Sequence, residues 1–215
     1  MPFLLRSQSA TPGTQGTGCE SVQEIINIAA TGEAFAVTIL GEALASAGRG
    51  ELPLSAEEIG TLTAARAAEQ AHYEFLLESG AEASTLTFTL PAPALLTDVS
   101  TFWATVAELE ESSVAAYLTA AQEFAAQGEA ELAQVALQIG AVEAEHRVGA
   151  RFYGILAGAF SGVPNDVAFE RALFSSMADI PALLEELGFI GGSGAEMTYP
   201  GPGEIDTTGV QGLRP

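Results

Sequence analysis

The sequence predicts an all-α fold, a four-helix bundle with one long crossover between helices two and three. Four long stretches carry apolar residues at helical spacing and are separated by glycine-containing turns. The turns at 47–54 and 127–129 are short, whereas the link from Gly80 to Thr97 is long and broken by Pro91 and Pro93. A chain of 215 residues, 48% hydrophobic and 16% charged, can bury the core of one such bundle, and two domains would be crowded.

Residues 1–19, rich in Ser, Thr, Gly and Gln, are expected to form a flexible arm. The bundle is expected over 20–160. Its first helix runs from about Glu20 to Ser46 and closes at Gly48-Arg49-Gly50. The second opens at the capping box Ser55-Ala56-Glu57-Glu58 and ends before Gly80. The third spans the stretch from near Asp98 to Gly128, and the fourth runs from Glu129 to about Phe160. Short turns make helices one and two antiparallel neighbours, and likewise helices three and four. The alternating run Leu86-Thr87-Phe88-Thr89-Leu90 reads as extended chain. A helix of this size is roughly 40 Å long, and 18 extended residues reach nearly 60 Å. The crossover can therefore span the whole bundle and start helix three parallel to helix two. Residues 161–190 are expected to pack on the bundle as short helices, the last opened by Asp179-Ile180-Pro181. Residues 191–215 form a Gly/Pro-rich tail with little means of folding alone. Met177 and Met197 fall outside the bundle and carry no expectation.

The formal net charge of −21 argues against nucleic acid or an anionic membrane surface as a partner. The single Cys19 excludes an intramolecular disulfide and a four-cysteine metal module. Glutamates interrupt the apolar stretches, so no membrane span is expected. Met1–Leu5 before Arg6 is too short for a secretion signal, which makes a cytoplasmic location the expectation.

The chemistry concentrates on the two histidines. Each follows a glutamate by three residues, in Glu69-Gln70-Ala71-His72 and Glu143-Ala144-Glu145-His146. Residues three apart share a helix face, so each pair can hold one metal from one helix. With 24 glutamates in the chain, the chance of this offset at both histidines is on the order of 1%. Both motifs lie on apolar faces, the first beside Leu62, Ala65, Tyr73 and Leu76, the second beside Ala136, Ile139 and Ala150. An interior carboxylate is costly unless paired or metal-bound. Helix one adds Glu33, on the face of Ile26, Ala30, Val37 and Leu40. On helix three Glu108, Glu110 and Glu111 compete, and Glu110 is the best placed because it shares the Trp103, Val106, Val114 and Tyr117 stripe. Tyr73 and Tyr117 read as packing residues with a hydroxyl in a network. Arg147 and Arg151 either neutralise carboxylates behind the site or form surface pairs.

One Glu from each of two helices and one Glu-x-x-His from each of the other two is a pattern that resembles the ferritin-like di-iron or di-manganese carboxylate family, over about residues 20–160. The stretches Asn27–Glu33 and Val114–Tyr117 also resemble a single-domain bacterial branch described as ferritin-like or desiccation-related. The resemblance implies a ferritin-like bundle and two iron ions, or two manganese ions, as cofactors. It implies Glu33 and Glu110 as terminal ligands, Glu69 and Glu143 as bridges, and His72 and His146 as ligands to one metal each. Exported members of that branch carry a secretion signal, which is not recognisable here.

Six such ligands form the expected metal and catalytic set: Glu33, Glu69, His72, Glu110, Glu143 and His146. The expected function is a dinuclear oxidoreductase that oxidises ferrous iron, reduces dioxygen or peroxide, or both, protecting against oxidative stress. A manganese catalase-like enzyme is one alternative, and an assembly subunit with a structural or vestigial metal site is another. A storage cage ranks lower, because the arm and tail do not suit a closed shell. The weakly charged outer faces of helices one and four predict a homodimer or another protein partner.

Overall fold

Residues 20–203, 205–208 and 210–215 are described by a computed structural model. The arm expected at 1–19, with Cys19, lies outside the described residues. The bundle helices are α1 (Val22–Gly48), α2 (Ala56–Glu78), α3 (Val99–Gln127) and α4 (Ala130–Leu156). A short strand β1 (Thr87–Leu90) and a 3-10 turn (Pro93–Leu96) lie in the crossover, and α5 (Asp179–Glu186) and β2 (Ala195–Thr198) follow the bundle.

Local chemistry sets the helix ends. Ser55 and Glu58 form the expected capping box, and Ser21 and Glu24 form a second at the start of α1. Asp98 caps α3 by accepting from the Thr101 amide at 2.7 Å. Gly128 ends α3 in the left-handed region, φ 84°, where a side chain would be strained.

The crossover runs the length of the bundle along α1. Its start is held where the Gln23 amide donates to the Gly80 carbonyl at 2.8 Å, and its end where the Ser46 hydroxyl donates to the Leu96 carbonyl at 2.6 Å. Those anchors are 23 residues apart on α1, roughly 35 Å of helix. Between them the amides of Glu82 and Ser84 donate to Asn27 and Thr31. Helix α3 consequently starts beside the start of α2, where Trp103 Nε1 donates to Glu58 at 2.6 Å. The Thr61 and Tyr153 hydroxyls, 3.0 Å apart, bring the end of α4 to the same end of the bundle.

Residues beyond α4 fold on the bundle rather than alone. Strand β2 pairs antiparallel with β1, placing Met197 opposite Phe88. Phe88 and Phe189 both pack on Phe35 of α1, with centroids 5.4 and 4.8 Å away. The Tyr199 hydroxyl donates to the Gln70 side chain at 2.9 Å. Met177 and Met197 are both buried.

These segments correct the reading of helix one as a surface awaiting a partner subunit. Thr31 and Thr38 on α1 are buried, because the crossover and the paired strands already cover that flank. Exposed apolar side chains remain on α4, at Leu137, Phe152 and Leu156. Among the described residues, α1 alone is long and apolar enough to cross a membrane, which the glutamate count did not anticipate. Over half of that apolar window is buried inside the protein.

Candidate metal centre

Each bundle helix delivers carboxylate to one point in the interior. Glu33 of α1, Glu69 of α2, Glu110 of α3 and Glu143 of α4 are all buried, none more than 7% exposed. His72 and His146 sit one turn beyond Glu69 and Glu143, as i, i+3 geometry requires. The six side chains form two overlapping groups: Glu33, Glu69, His72 and Glu143, and Glu69, Glu110, Glu143 and His146. Within each group the ligand atoms lie within 4.8 Å of one another, and Glu69 and Glu143 belong to both. Among the described residues these are the groups of His, Cys, Asp and Glu side chains that converge in this way.

His72 Nδ1 lies 3.3 Å from both Glu69 Oε2 and Glu143 Oε1 and 3.6 Å from Glu33 Oε2. His146 Nδ1 lies 2.7 Å from Glu69 Oε1 and 3.8 Å from Glu143 Oε2. The 2.7 Å approach is close enough for a hydrogen bond but poorly aligned for one, so both atoms stay unpartnered, as does Glu143 Oε1. Buried polar atoms normally have partners. Three unpartnered ones in a single cluster, all oxygen or imidazole nitrogen, form the donor set that a transition-metal ion satisfies.

Electrostatics sort the carboxyls into two kinds. Burial, reinforced by the charge of Glu69, pushes Glu33 well above the ordinary carboxyl range. Burial and the charge of Glu143 do the same to Glu110. Burial also opposes ionisation of Glu69 and Glu143, but there the neighbouring imidazoles prevail and hold both low. The imidazoles are raised in turn: burial alone would lower them, and their carboxylate partners outweigh it. The same burial thus acts on all four carboxyls, and the imidazoles beside Glu69 and Glu143 separate those two from Glu33 and Glu110.

A profile of the ferritin-like domain family matches residues 21–152. The chain belongs to that family. No curated protein and no solved structure matches the chain. In this ferritin-like domain the matched span takes in the six converging side chains and stops short of α5 and the tail.

The neighbours of the cluster sort the remaining candidates. Glu111, one residue from Glu110, points outward and pairs with Arg171 at 3.2 Å. Glu108 is half-buried, outside both groups. The Tyr117 hydroxyl donates to Glu33, and burial keeps that phenol neutral. Tyr73 instead packs against Tyr199, centroids 4.8 Å apart. Arg147 and Arg151 turn away from the site: Arg147 holds Glu170, with Nη2 2.7 Å from Oε1, and Arg151 holds Asp166 at 2.6 Å. The short helix expected to open at Asp179-Ile180-Pro181 is α5, but its place at the site was not foreseen: Ile180, Leu183 and Leu184 line the space beside Glu33 and Glu110. Their i, i+3, i+4 spacing was the available signal.

Proposed function

We propose that this ferritin-like domain is a dinuclear-metal oxidoreductase, oxidising ferrous iron and reducing dioxygen or peroxide. The observation that carries the reading is the sharing of Glu69 and Glu143 by two converging ligand groups. Two carboxylates common to both groups are what bridging a metal pair requires, and paired sites hold their ions about 3.5–4 Å apart. In this reading Glu33 and Glu110 are the terminal ligands, and His72 and His146 bind one ion each. Iron and manganese both suit four carboxylates and two imidazoles. Two such ions, when bound, share the electrons that reduction of dioxygen or peroxide needs.

The residues of the chain do the rest. Tyr117 orients Glu33 by donating to it, and its neutral phenol keeps a proton one hydrogen bond from that ligand. The apolar bundle walls exclude water, which strengthens every charge interaction at the centre. Carboxylate and neutral imidazole are the forms that ligate, so metal binding would be favoured as pH rises. A homodimer through exposed Leu137, Phe152 and Leu156 of α4 and a cytoplasmic role in oxidative-stress protection accompany this reading. Sedimentation checks the dimer, and a strict monomer at micromolar concentration removes it.

The test is metal analysis of protein purified without added metal, anomalous scattering at the iron and manganese edges, and assays of ferrous oxidation and peroxide consumption. Two ions per chain with ferrous-dependent turnover supports the reading. Peroxide dismutation by a manganese pair would make it a catalase. Bound metal with no turnover of either kind would leave a non-enzymatic assembly subunit.

A further inference from the structure

The protein is not closed evenly around its carboxylates. Between α1 and α3, beneath α5, lies a cavity of about 80 Å³. It runs past Ile28 to Leu40 on α1 and Val106 to Tyr117 on α3, roughly 17 Å along the helices. Its inner wall is Glu33, Glu69 and Glu110, and its roof is Met177, Ile180, Leu183 and Leu184. Most of the remaining wall is carbon. The Ser112 hydroxyl is spent on the Glu108 carbonyl at 3.0 Å, and Tyr117 is spent on Glu33. Besides those two, Ser113 is the neutral polar side chain on the wall.

Gly32 lines this cavity beside Glu33, and a Cβ added there would meet nothing within 4 Å. A glycine inside a helix costs about 1 kcal/mol relative to alanine. At Gly140 packing supplies a reason, because an added Cβ would stand 3.2 Å from Tyr117 Cβ. At Gly32 no neighbour requires the small residue. What the missing side chain leaves is open cross-section next to a carboxylate.

We propose that this cavity is the approach and docking space for dioxygen, and that ferrous ion and peroxide reach the centre elsewhere. The inference rests on the oxidoreductase reading and narrows its co-substrate. Away from the three carboxyls, an ion crossing the carbon-lined stretch loses hydration with little replacement, and peroxide finds few acceptors for its hydroxyl donors. Dioxygen has neither charge nor donor and loses little on leaving water. Apolar space of this order accepts xenon, a probe of similar polarity.

The experiment pressurises crystals of the metal-loaded full chain with xenon and measures the dioxygen dependence of ferrous oxidation. Xenon should lie between α5 and Tyr117. Gly32→Leu should exclude it, raise the KM for dioxygen about tenfold and leave metal content unchanged. Should that variant fail to fold, Ala116→Leu fills the same space from α3. Ordered water in place of xenon overturns the inference, as does an unchanged KM with the cavity filled. Turnover with a water-filled cavity would overturn this inference alone. Xenon in the cavity of a loaded protein that turns nothing over would overturn the oxidoreductase reading, and dioxygen as occupant with it.

Discussion

The two flanks of the metal centre are closed by different means. On the α1–α3 side, Met177 and, from α5, Ile180, Leu183 and Leu184 lie over the carboxylates, and Met177 and Leu184 are almost wholly buried. On the α2–α4 side, residues Val210–Pro215 cross a cavity of about 150 Å³ lined by His72, Gln138 and Val142. The named tie on that side is Arg214 to Glu78 at 2.6 Å, about half exposed at both partners. Buried carbon contact is worth kilocalories per side chain, whereas an exposed ion pair is worth at most about 1 kcal/mol. One flank is roofed by buried carbon over its cavity, and the other, nearer an imidazole, is held by little. In the proposed reading, the second is the flank through which charged cargo would pass.

The largest expected effect is at the centre between the flanks. Glu110→Ala should weaken at least one metal position by roughly 100-fold or more, beyond the usual cost of losing an outer partner, with loss of most turnover. Glu111→Ala should change metal stoichiometry and turnover little, since that side chain meets Arg171 instead. Metal analysis and ferrous oxidation of the two variants decide between them.

Next comes the tight flank. Met177→Ala removes a buried side chain from the roof and should cost about 2–5 kcal/mol in denaturant unfolding. A cost under 1 kcal/mol would mean that α5 is not the firm side.

A smaller effect concerns how α5 is anchored. Glu123 accepts from the Met177 amide at 3.1 Å, and Glu20 accepts from Ala178 at 3.2 Å. Burial, with Glu20 and Asp179 adding negative charge, raises the Glu123 carboxyl to about 7. The folded protein therefore holds this proton more tightly than the unfolded chain. Its contribution to stability is complete below about pH 4.5 and is lost as pH rises to about 7. Thermal unfolding between pH 5 and 8 should show that loss in the parent chain and a flatter profile in Glu123→Gln.

The smallest stability effect is expected from deleting residues 210–215, under about 1 kcal/mol. The same deletion should speed metal uptake measurably. Equal uptake rates with and without the tail would erase the contrast between the flanks.

The bundle was legible because its signals are local. The Ser55–Glu58 box, Gly128 and the apolar stripes each act within a few residues. One residue step turns a helix by about 100°, enough to separate Glu110 from Glu111. Short helices packed on the bundle were expected after it, but the partners of these covers were not legible, because they are distant in the chain. Nothing in Ala195–Thr198 names Thr87–Leu90 as its mate, and strands of four residues carry too little pattern to set a register. Weak charge on the outer face of helix one signalled that something must cover it. Whether a second subunit or the chain's own crossover would do so depends on contacts that composition does not encode. The burial of Met177 and the Arg147–Glu170 pair were hidden for the same reason.

The cover over α1 has a consequence for biosynthesis. Phe35 waits for Phe189, which lies 154 residues later in the chain. At translation speeds of about 5–20 residues per second, that gap lasts roughly 8–30 s. During it the crossover can lie along α1, but β1 has no β2 to pair with, and Phe35 has only Phe88. The nascent bundle therefore carries a sticky aromatic edge until Phe189 and β2 have been made, a window in which a chaperone or a neighbouring nascent chain can reach a surface that the folded protein hides.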